Sequence, residues 1–63
     1  MTNILKQVRK ERGMPISELS RRSGLCRQTI YNIEGDPNRN VDAKTMEAIA
    51  AALGVKVSKI FLL

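Results

Sequence analysis

The stretch "SELSRRSGLCRQTIYNIEG", residues 17–35, contains two short segments whose apolar residues follow helical spacing. Leu19 supplies the apolar side of the first segment, and Ile30 and Ile33 supply that of the second. Gly24 stands between the two segments, and glycine adopts without strain the positive φ that a tight turn often requires. The stretch therefore predicts two short helices joined by a tight turn.

The segments on either side of this stretch also predict helices. "NILKQVRKERG", residues 3–13, places its apolar residues on one side and ends in a glycine. "DAKTMEAIAAALG", residues 42–54, repeats apolar residues at the i, i+3, i+4, i+7 spacing of an amphipathic helix. A last short turn is expected from Ser58 through Phe61, and the turn residues of "GDPNRN", residues 35–40, predict a loop.

Together these segments predict an all-α fold of five helices in a single domain, residues 1–63. Its second and third helices form a helix-turn-helix. No segment alternates between apolar and polar residues, so no strand is expected. Asp42 is expected to act as the N-cap of the fourth helix. A chain of 63 residues buries a modest core and is marginally stable unless it packs efficiently or oligomerises.

Basic residues are concentrated in the first part of the chain. Residues 1–39 carry eight basic and four acidic side chains, and the formal net charge of the whole chain is +5. Such a distribution is typical of a surface that binds a polyanion, because lysine and arginine attract phosphate. The alternative is a basic surface that is merely solvated.

Composition argues against several other classes of protein. The chain has no histidine, one cysteine and no metal-ligand spacing, so we expect no enzyme, cofactor, metal site or small-molecule ligand. One cysteine also excludes an internal disulfide framework, and a reducing, cytoplasmic location is expected. No apolar run approaches the roughly 18 residues that span a bilayer, so no membrane segment is expected.

The predicted third helix, from Cys26 to about Glu34, has one polar face. The polar side chains opposite its core side are Arg27, Gln28, Tyr31 and Asn32, if successive residues lie about 100° apart. Glutamine and asparagine form bidentate hydrogen bonds with adenine, and arginine forms them with guanine. The sequence therefore predicts a helix that contacts base edges in the DNA major groove. The alternative is an ordinary solvated helix face.

The sequence resembles the lambda-repressor and Cro-like, or Xre-type, helix-turn-helix family over residues 3–61. The resemblance rests on the order and spacing of "LKQVRKERGM", "SELSRRSGLCRQTIYNIEG" and "MEAIAAALGVKVSKIF". It implies a five-helix DNA-binding domain, usually dimeric on DNA, whose third helix lies in the major groove. The function that it implies is a sequence-specific regulator of transcription, with double-stranded DNA as partner. An antitoxin that binds DNA and a toxin, or a helix-turn-helix module that binds protein, is the alternative.

The resemblance also implies roles for individual residues. The family's base-contacting positions fall on Arg27, Gln28 and Asn32, whereas Tyr31 is expected at a phosphate or a thymine methyl group. The same family implies a structural ion pair between Arg9 and Glu34. Further contacts with the DNA backbone, or with a thymine methyl in the case of isoleucine, are predicted for Arg21, Arg22, Arg39, Lys44 and Ile16.

Three positions depart from the pattern of the family. Pro15 and Ile16 stand where many relatives have a polar cap followed by a glutamine that touches phosphate and supports the first base contact. Ile16 is therefore expected either to touch a thymine methyl or to pack. Cys26 replaces the usual serine or threonine at the N-cap of the third helix, so a weaker cap is expected. An oxidation-sensitive thiol that blocks DNA binding is the alternative to a neutral substitution there.

The apolar end of the chain predicts a contact between two copies. Without polar cover, these residues either fold back on the core or form a two-fold dimer contact, and the dimer is expected. The predicted contact residues are Ile60, Phe61, Leu62 and Leu63. Two third helices would then lie near 34 Å apart and contact a palindromic operator. Repression rather than activation is expected, because 63 residues leave no room for an activating or ligand-sensing domain.

Overall fold

The computed structural model describes residues 2–62, which form five helices and one short pair of strands. The elements in chain order are β1 (Thr2–Asn3), α1 (Leu5–Glu11), α2 (Ile16–Ser23), α3 (Arg27–Gly35), α4 (Ala43–Leu53), α5 (Val57–Ile60) and β2 (Phe61–Leu62). The prediction of a five-helix fold is confirmed, and α2 and α3 form the predicted helix-turn-helix. The prediction that no strand forms is wrong.

The two strands join the first and last elements of the described chain. β1 and β2 are antiparallel, with Thr2 opposite Leu62 and Asn3 opposite Phe61. The backbone N–H of Ile4 also donates to the carbonyl oxygen of Ile60 at 2.8 Å. Two residues are too few to show an alternating pattern, so the sequence carries no signal for either strand. The pairing arises because both segments cross the same side of the core.

The core is aliphatic apart from one aromatic ring. Leu19 and Ile30 of the helix-turn-helix are fully buried, together with Ile49 of α4. Phe61 is buried in the same cluster, whereas Tyr31 is exposed. Because α3 packs against both α2 and α1, it is held from two directions.

Side chains of α2 fix the turn that leads into α3. Gly24 ends α2 with a φ of +78°, as its place in the sequence predicts. The hydroxyl of Ser20 donates to the carbonyl oxygen of Leu25, and the hydroxyl oxygen of Ser23 accepts from the Leu25 N–H at 3.2 Å. These bonds satisfy backbone groups that no helix hydrogen bond reaches, so they help to set the angle at which α3 leaves α2.

Asn3 is the one buried polar residue among the described part of the chain, 6% exposed. Its Oδ1 accepts from the N–H of Leu5 at 3.2 Å, and its Nδ2 donates to the carbonyl oxygens of Ile33 and Pro37 at 3.3 and 3.4 Å. Asn3 therefore ties the start of α1 to the last turn of α3 and to the loop that follows it. It positions the segment that carries Arg39.

The apolar end of the described chain folds back on the core. Ile60 is completely buried and Phe61 is 3% exposed, so their side chains do not offer the predicted dimer contact. This is the fold-back that the sequence left as the alternative, with Phe61 opposite Asn3 in the strand pair. Leu62 is 48% exposed and stays a predicted contact residue. The prediction for Leu63 lies outside the described residues.

Candidate nucleic-acid interface

The exposed face of α3 carries the side chains predicted to contact bases. Arg27, Gln28, Tyr31 and Asn32 are all exposed, whereas Ile30 and Ile33 on the opposite face are buried. The helix is therefore anchored by its apolar side and offers a guanidinium, two carboxamides and a phenol to a partner. Their contact with DNA stays a prediction.

The two carboxamides of this face are joined to each other. Nε2 of Gln28 donates to Oδ1 of Asn32 at 2.9 Å, between residues four apart on the helix. Side chains at this spacing are neighbours on one helix face, and such amide pairs add a few tenths of a kcal/mol to helix stability. The sequence placed both residues on this face but did not predict their hydrogen bond.

Arg27 faces the helix before it across a polar cleft. This cleft is lined by Arg27, by Ser17 and Pro15 at the start of α2, and by Arg21 one turn later. Within residues 2–62, neither arginine forms an ion pair with a carboxylate. The two guanidiniums therefore place positive charge where the two helices of the helix-turn-helix meet, and Arg21 remains a candidate for phosphate contact.

Arg22 has a partner of its own in the structure. Its Nε lies 2.9 Å from Oε2 of Glu18, one turn earlier on α2. The two side chains are 51% and 35% exposed, so water weakens the attraction and phosphate can compete with the carboxylate. Arg22 stays a predicted backbone contact, but binding phosphate through Nε means releasing Glu18.

The loop after α3 and the start of α4 lie beside the polar face. One groove is lined by Thr29 and Asn32 of α3, by Arg39 of the loop, and by Asp42 and Thr45 around the start of α4. Asp42 occupies the predicted N-cap position, but its side chain makes no capping hydrogen bond. The predicted side-chain cap is therefore absent, which leaves the first N–H groups of α4 without that partner.

Two further predicted contacts differ in exposure. Lys44 is exposed in the first turn of α4, and its near neighbours in the chain, Asp42 and Thr45, line the groove that contains Arg39. Ile16 is half-buried and packs against the hydrophobic core at the start of α2. Packing therefore occupies much of the Ile16 side chain, and a thymine-methyl contact stays a prediction for its exposed part.

Arg9 and Glu34 form an ion pair behind the polar face. Nε of Arg9 lies 2.6 Å from Oε2 of Glu34, and its Nη2 lies 3.3 Å from Oε1. Nη1 of the same guanidinium donates to the carbonyl oxygen of Met14 at 3.0 Å. The two side chains are only 12% and 7% exposed, so they join α1, α3 and the turn before α2 away from solvent. Their role is to hold α3 in place.

Cys26 is the N-cap residue of α3 but does not cap it. No side-chain cap bond is present, and Sγ instead lies 3.1 Å from Oγ1 of Thr29. This hydrogen bond, assisted by the backbone N–H of Thr29, holds the pKa of the exposed Cys26 thiol below its ordinary value. The thiolate is therefore populated at a lower pH than in free cysteine.

The alkylation of Cys26 by iodoacetamide tests this arrangement. The rate is expected to rise with pH with a midpoint below that of free cysteine, because the thiolate is the nucleophile. Thr29→Val, which removes the hydroxyl but keeps the branched shape, is expected to move the midpoint upwards, whereas Thr29→Ser leaves it low. Equal midpoints in Thr29→Val and the parent protein would show that the Thr29 hydroxyl has no effect on the thiol.

The described residues lack two other kinds of feature. Across residues 2–62 no helix has the length and apolar character that a bilayer crossing requires. The same residues contain no group of three or more histidine, cysteine, aspartate or glutamate side chains placed to hold a metal ion.

Known proteins share this sequence pattern. A family model described as helix-turn-helix matches residues 5–60. The immunity repressor protein of Bacillus phage phi105 is 39% identical over 56 residues, which are 89% of this chain and 38% of the repressor. The HTH-type transcriptional regulator SinR of Bacillus subtilis (strain 168) is 34% identical over 53 residues, which are 84% of this chain and 48% of SinR. The chain thus spans less than half the length of either relative.

A solved structure shares the fold. The solution structure of the N-terminal DNA-binding domain of the master biofilm-regulator SinR from Bacillus subtilis matches with a TM-score of 0.74. The sequences are 33% identical, and the match covers 87% of this chain and 80% of that domain. By their names these relatives are a repressor and a transcriptional regulator, not enzymes.

Proposed function

The chain belongs to the helix-turn-helix family, and from this premise we propose that it binds double-stranded DNA sequence-specifically and regulates transcription as a repressor. The observation that carries the proposal is the exposed face of α3, where Arg27, Gln28 and Asn32 offer hydrogen-bonding groups that match base edges. Its cytoplasmic location follows from its target, because the DNA of a bacterium or phage is accessible there.

Positive charge on both sides of α3 supports the same proposal. Arg21 lies beside the start of the helix, Arg39 lines the groove that contains Asn32, and Lys44 is exposed in the first turn of α4. Cations flanking a base-contacting helix bind the phosphates on either side of the major groove, and such contacts set the register of the protein on the duplex. Arg27 and Gln28 then contact base edges, and Tyr31 contacts a phosphate or a thymine methyl.

Binding of the protein to an operator is sufficient to repress transcription. A domain with its α3 in the major groove covers one face of the duplex, so an operator that overlaps a promoter excludes polymerase. The phage relative named as an immunity repressor supports this mode of action, since the identical residues lie in the helix-turn-helix domain.

The DNA-binding unit is a homodimer. Nine residues of α3 span about 14 Å, or about four base pairs, and so short a sequence recurs too often to define one operator. Two copies related by a two-fold axis double the recognised length, with half-sites one helical turn apart. Within residues 2–62, Leu62 is an exposed apolar residue near the C-terminal end that is available for contact between copies.

Selection of bound sites from a pool of random duplex DNA tests the proposal. We expect enrichment of a short inverted repeat with half-site centres about 10 base pairs apart. A Gln28→Ala variant serves as matched control, because it keeps the fold and the phosphate contacts and should lose preference at one base pair in each half-site.

Other results of the selection distinguish the alternatives. Enrichment of a single half-site would support sequence recognition but contradict the dimer. Recovery of DNA without any enriched sequence would leave a non-specific DNA-binding protein. No recovery of DNA at low salt would remove the proposal in favour of a helix-turn-helix module that binds protein.

A further inference from the structure

The hydrogen bond between Gln28 and Asn32 affects which base α3 selects. This inference rests on the proposed function, which is sequence-specific DNA binding. We propose that Asn32 is a positioning residue. It holds the Gln28 carboxamide in an orientation that binds adenine in preference to guanine. Asn32 thus acts on the base through Gln28, in addition to any contact that its own amide makes.

The argument begins with the hydrogen-bonding groups of the Gln28 carboxamide. Glutamine has two N–H donors on Nε2 and two acceptor sites on Oε1. One N–H is engaged by Oδ1 of Asn32 at 2.9 Å. Gln28 therefore presents one free donor and one free acceptor atom, side by side, to a partner beyond the helix face. The Gln28 hydrogen bond uses only Oδ1 of Asn32, so both N–H groups of Asn32 Nδ2 remain available as donors.

This remaining pattern complements adenine and conflicts with guanine. In the major groove adenine offers the N7 acceptor beside the N6 donor, so the free N–H and Oε1 of Gln28 can bond to both. Guanine offers two acceptors, N7 and O6, and two bonds to it require two donors. An isolated glutamine could supply both from its NH₂ group. Gln28 cannot do so while Asn32 engages one of them.

Gln28 has no comparable support from α2. Ile16 at the start of α2 packs on the core, and its side chain offers no hydrogen bond. Asn32 lies on the same helix as Gln28, one turn away, and that helix is anchored by the buried Ile30 and Ile33. The hydrogen bond therefore restricts a long side chain that would otherwise sample several rotamers, which lowers the ordering cost on binding.

The test compares two substitutions of Asn32 on operator duplexes from the selection. Gln28→Ala first identifies the base pair whose preference depends on Gln28, which is expected to be A·T with about 5- to 150-fold preference over G·C. Asn32→Ala removes the acceptor and frees the second N–H, so this preference is expected to fall by about threefold or more. Asn32→Asp keeps an acceptor oxygen and removes both donors, so affinity falls for every duplex while the preference remains.

Each other outcome overturns the inference in a recognisable way. If both variants keep the preference, Asn32 plays no part in it. If both lose the preference equally, Asn32 acts through its own donors and not through Oδ1. A preference for another base at the Gln28 position also contradicts the proposal. If the parent protein shows no sequence preference at all, the proposed function fails, which is a different result from loss of preference in one variant. Asn32 is exposed, so thermal unfolding of the parent, Asn32→Ala and Asn32→Asp proteins should differ by no more than the small contribution of one exposed side-chain hydrogen bond, which shows that the fold is retained.

Discussion

Replacing Glu34 with alanine is expected to lower the free energy of unfolding by about 3–5 kcal/mol. The carboxylate of Glu34 neutralises the guanidinium of Arg9 in a site where both side chains are nearly enclosed. Without it the guanidinium keeps its hydrogen bond to the Met14 carbonyl but is left as an uncompensated buried charge. Removal of one partner therefore costs more than the intact ion pair contributes.

The effect is large in relation to the whole domain. A chain of 63 residues has a total stability of about 3–9 kcal/mol, so Glu34→Ala is expected to remove about a third of it or more. Denaturant unfolding followed by circular dichroism measures the loss. Glu18→Ala is the matched control, because it breaks the exposed ion pair with Arg22 and should cost less than about 1 kcal/mol. Similar losses in both variants would contradict the structural role of the enclosed pair.

Raising the monovalent salt from 50 to 200 mM is expected to weaken DNA binding by about 40- to 150-fold per protomer. The estimate takes three or four phosphate contacts from Arg21, Arg22, Arg39 and Lys44, each of which releases counterions and adds about 0.9 to the slope of log K against log salt. The lower figure applies if Arg22 remains paired with Glu18. Fluorescence anisotropy of a labelled operator duplex over this salt range gives the slope.

Single substitutions show which residues contribute to the slope of log K against log salt. Arg39→Ala and Lys44→Ala should each reduce its magnitude by about 0.9, while relative preferences among bases are retained. Lys56→Ala is the control, since Lys56 lies beyond the far end of α4, about 16 Å along the axis from the end next to α3. It removes the same charge and should leave the slope nearly unchanged. A flat salt response in the parent protein would rule out phosphate contact.

Much of the fold follows from local sequence patterns. The apolar spacing of α4, the glycines at helix ends and the opposite faces of α3 depend on residues within one or two turns of each other. The sequence therefore predicts all five helices and the exposure of Arg27, Gln28 and Asn32. The Arg9–Glu34 ion pair joins distant segments, and it was predicted only through resemblance to a known family. The structure contains it.

Other features that depend on distant parts of the chain leave no pattern in the sequence that predicts them. In the sequence, Asn3 is an ordinary polar residue near the start of the chain. In the structure, its side chain forms hydrogen bonds with the end of α3 and with the following loop. The strands of two residues and the burial of Phe61 depend on each other, so neither leaves a local pattern. The hydrogen bond from Gln28 to Asn32 is local, but it depends on rotamers that helical spacing does not specify.

The pairing of Thr2–Asn3 with Phe61–Leu62 gives the domain the topology of a nearly closed ring. The loop that this contact closes contains almost every described residue, so closing it has one of the largest entropic costs in the domain. The backbone hydrogen bonds of the strand pair offset this entropic cost only after the helices have assembled and brought the two segments together. The strand pair is therefore expected to form late in folding, and loss of either strand removes the hydrogen-bonding partner of the other.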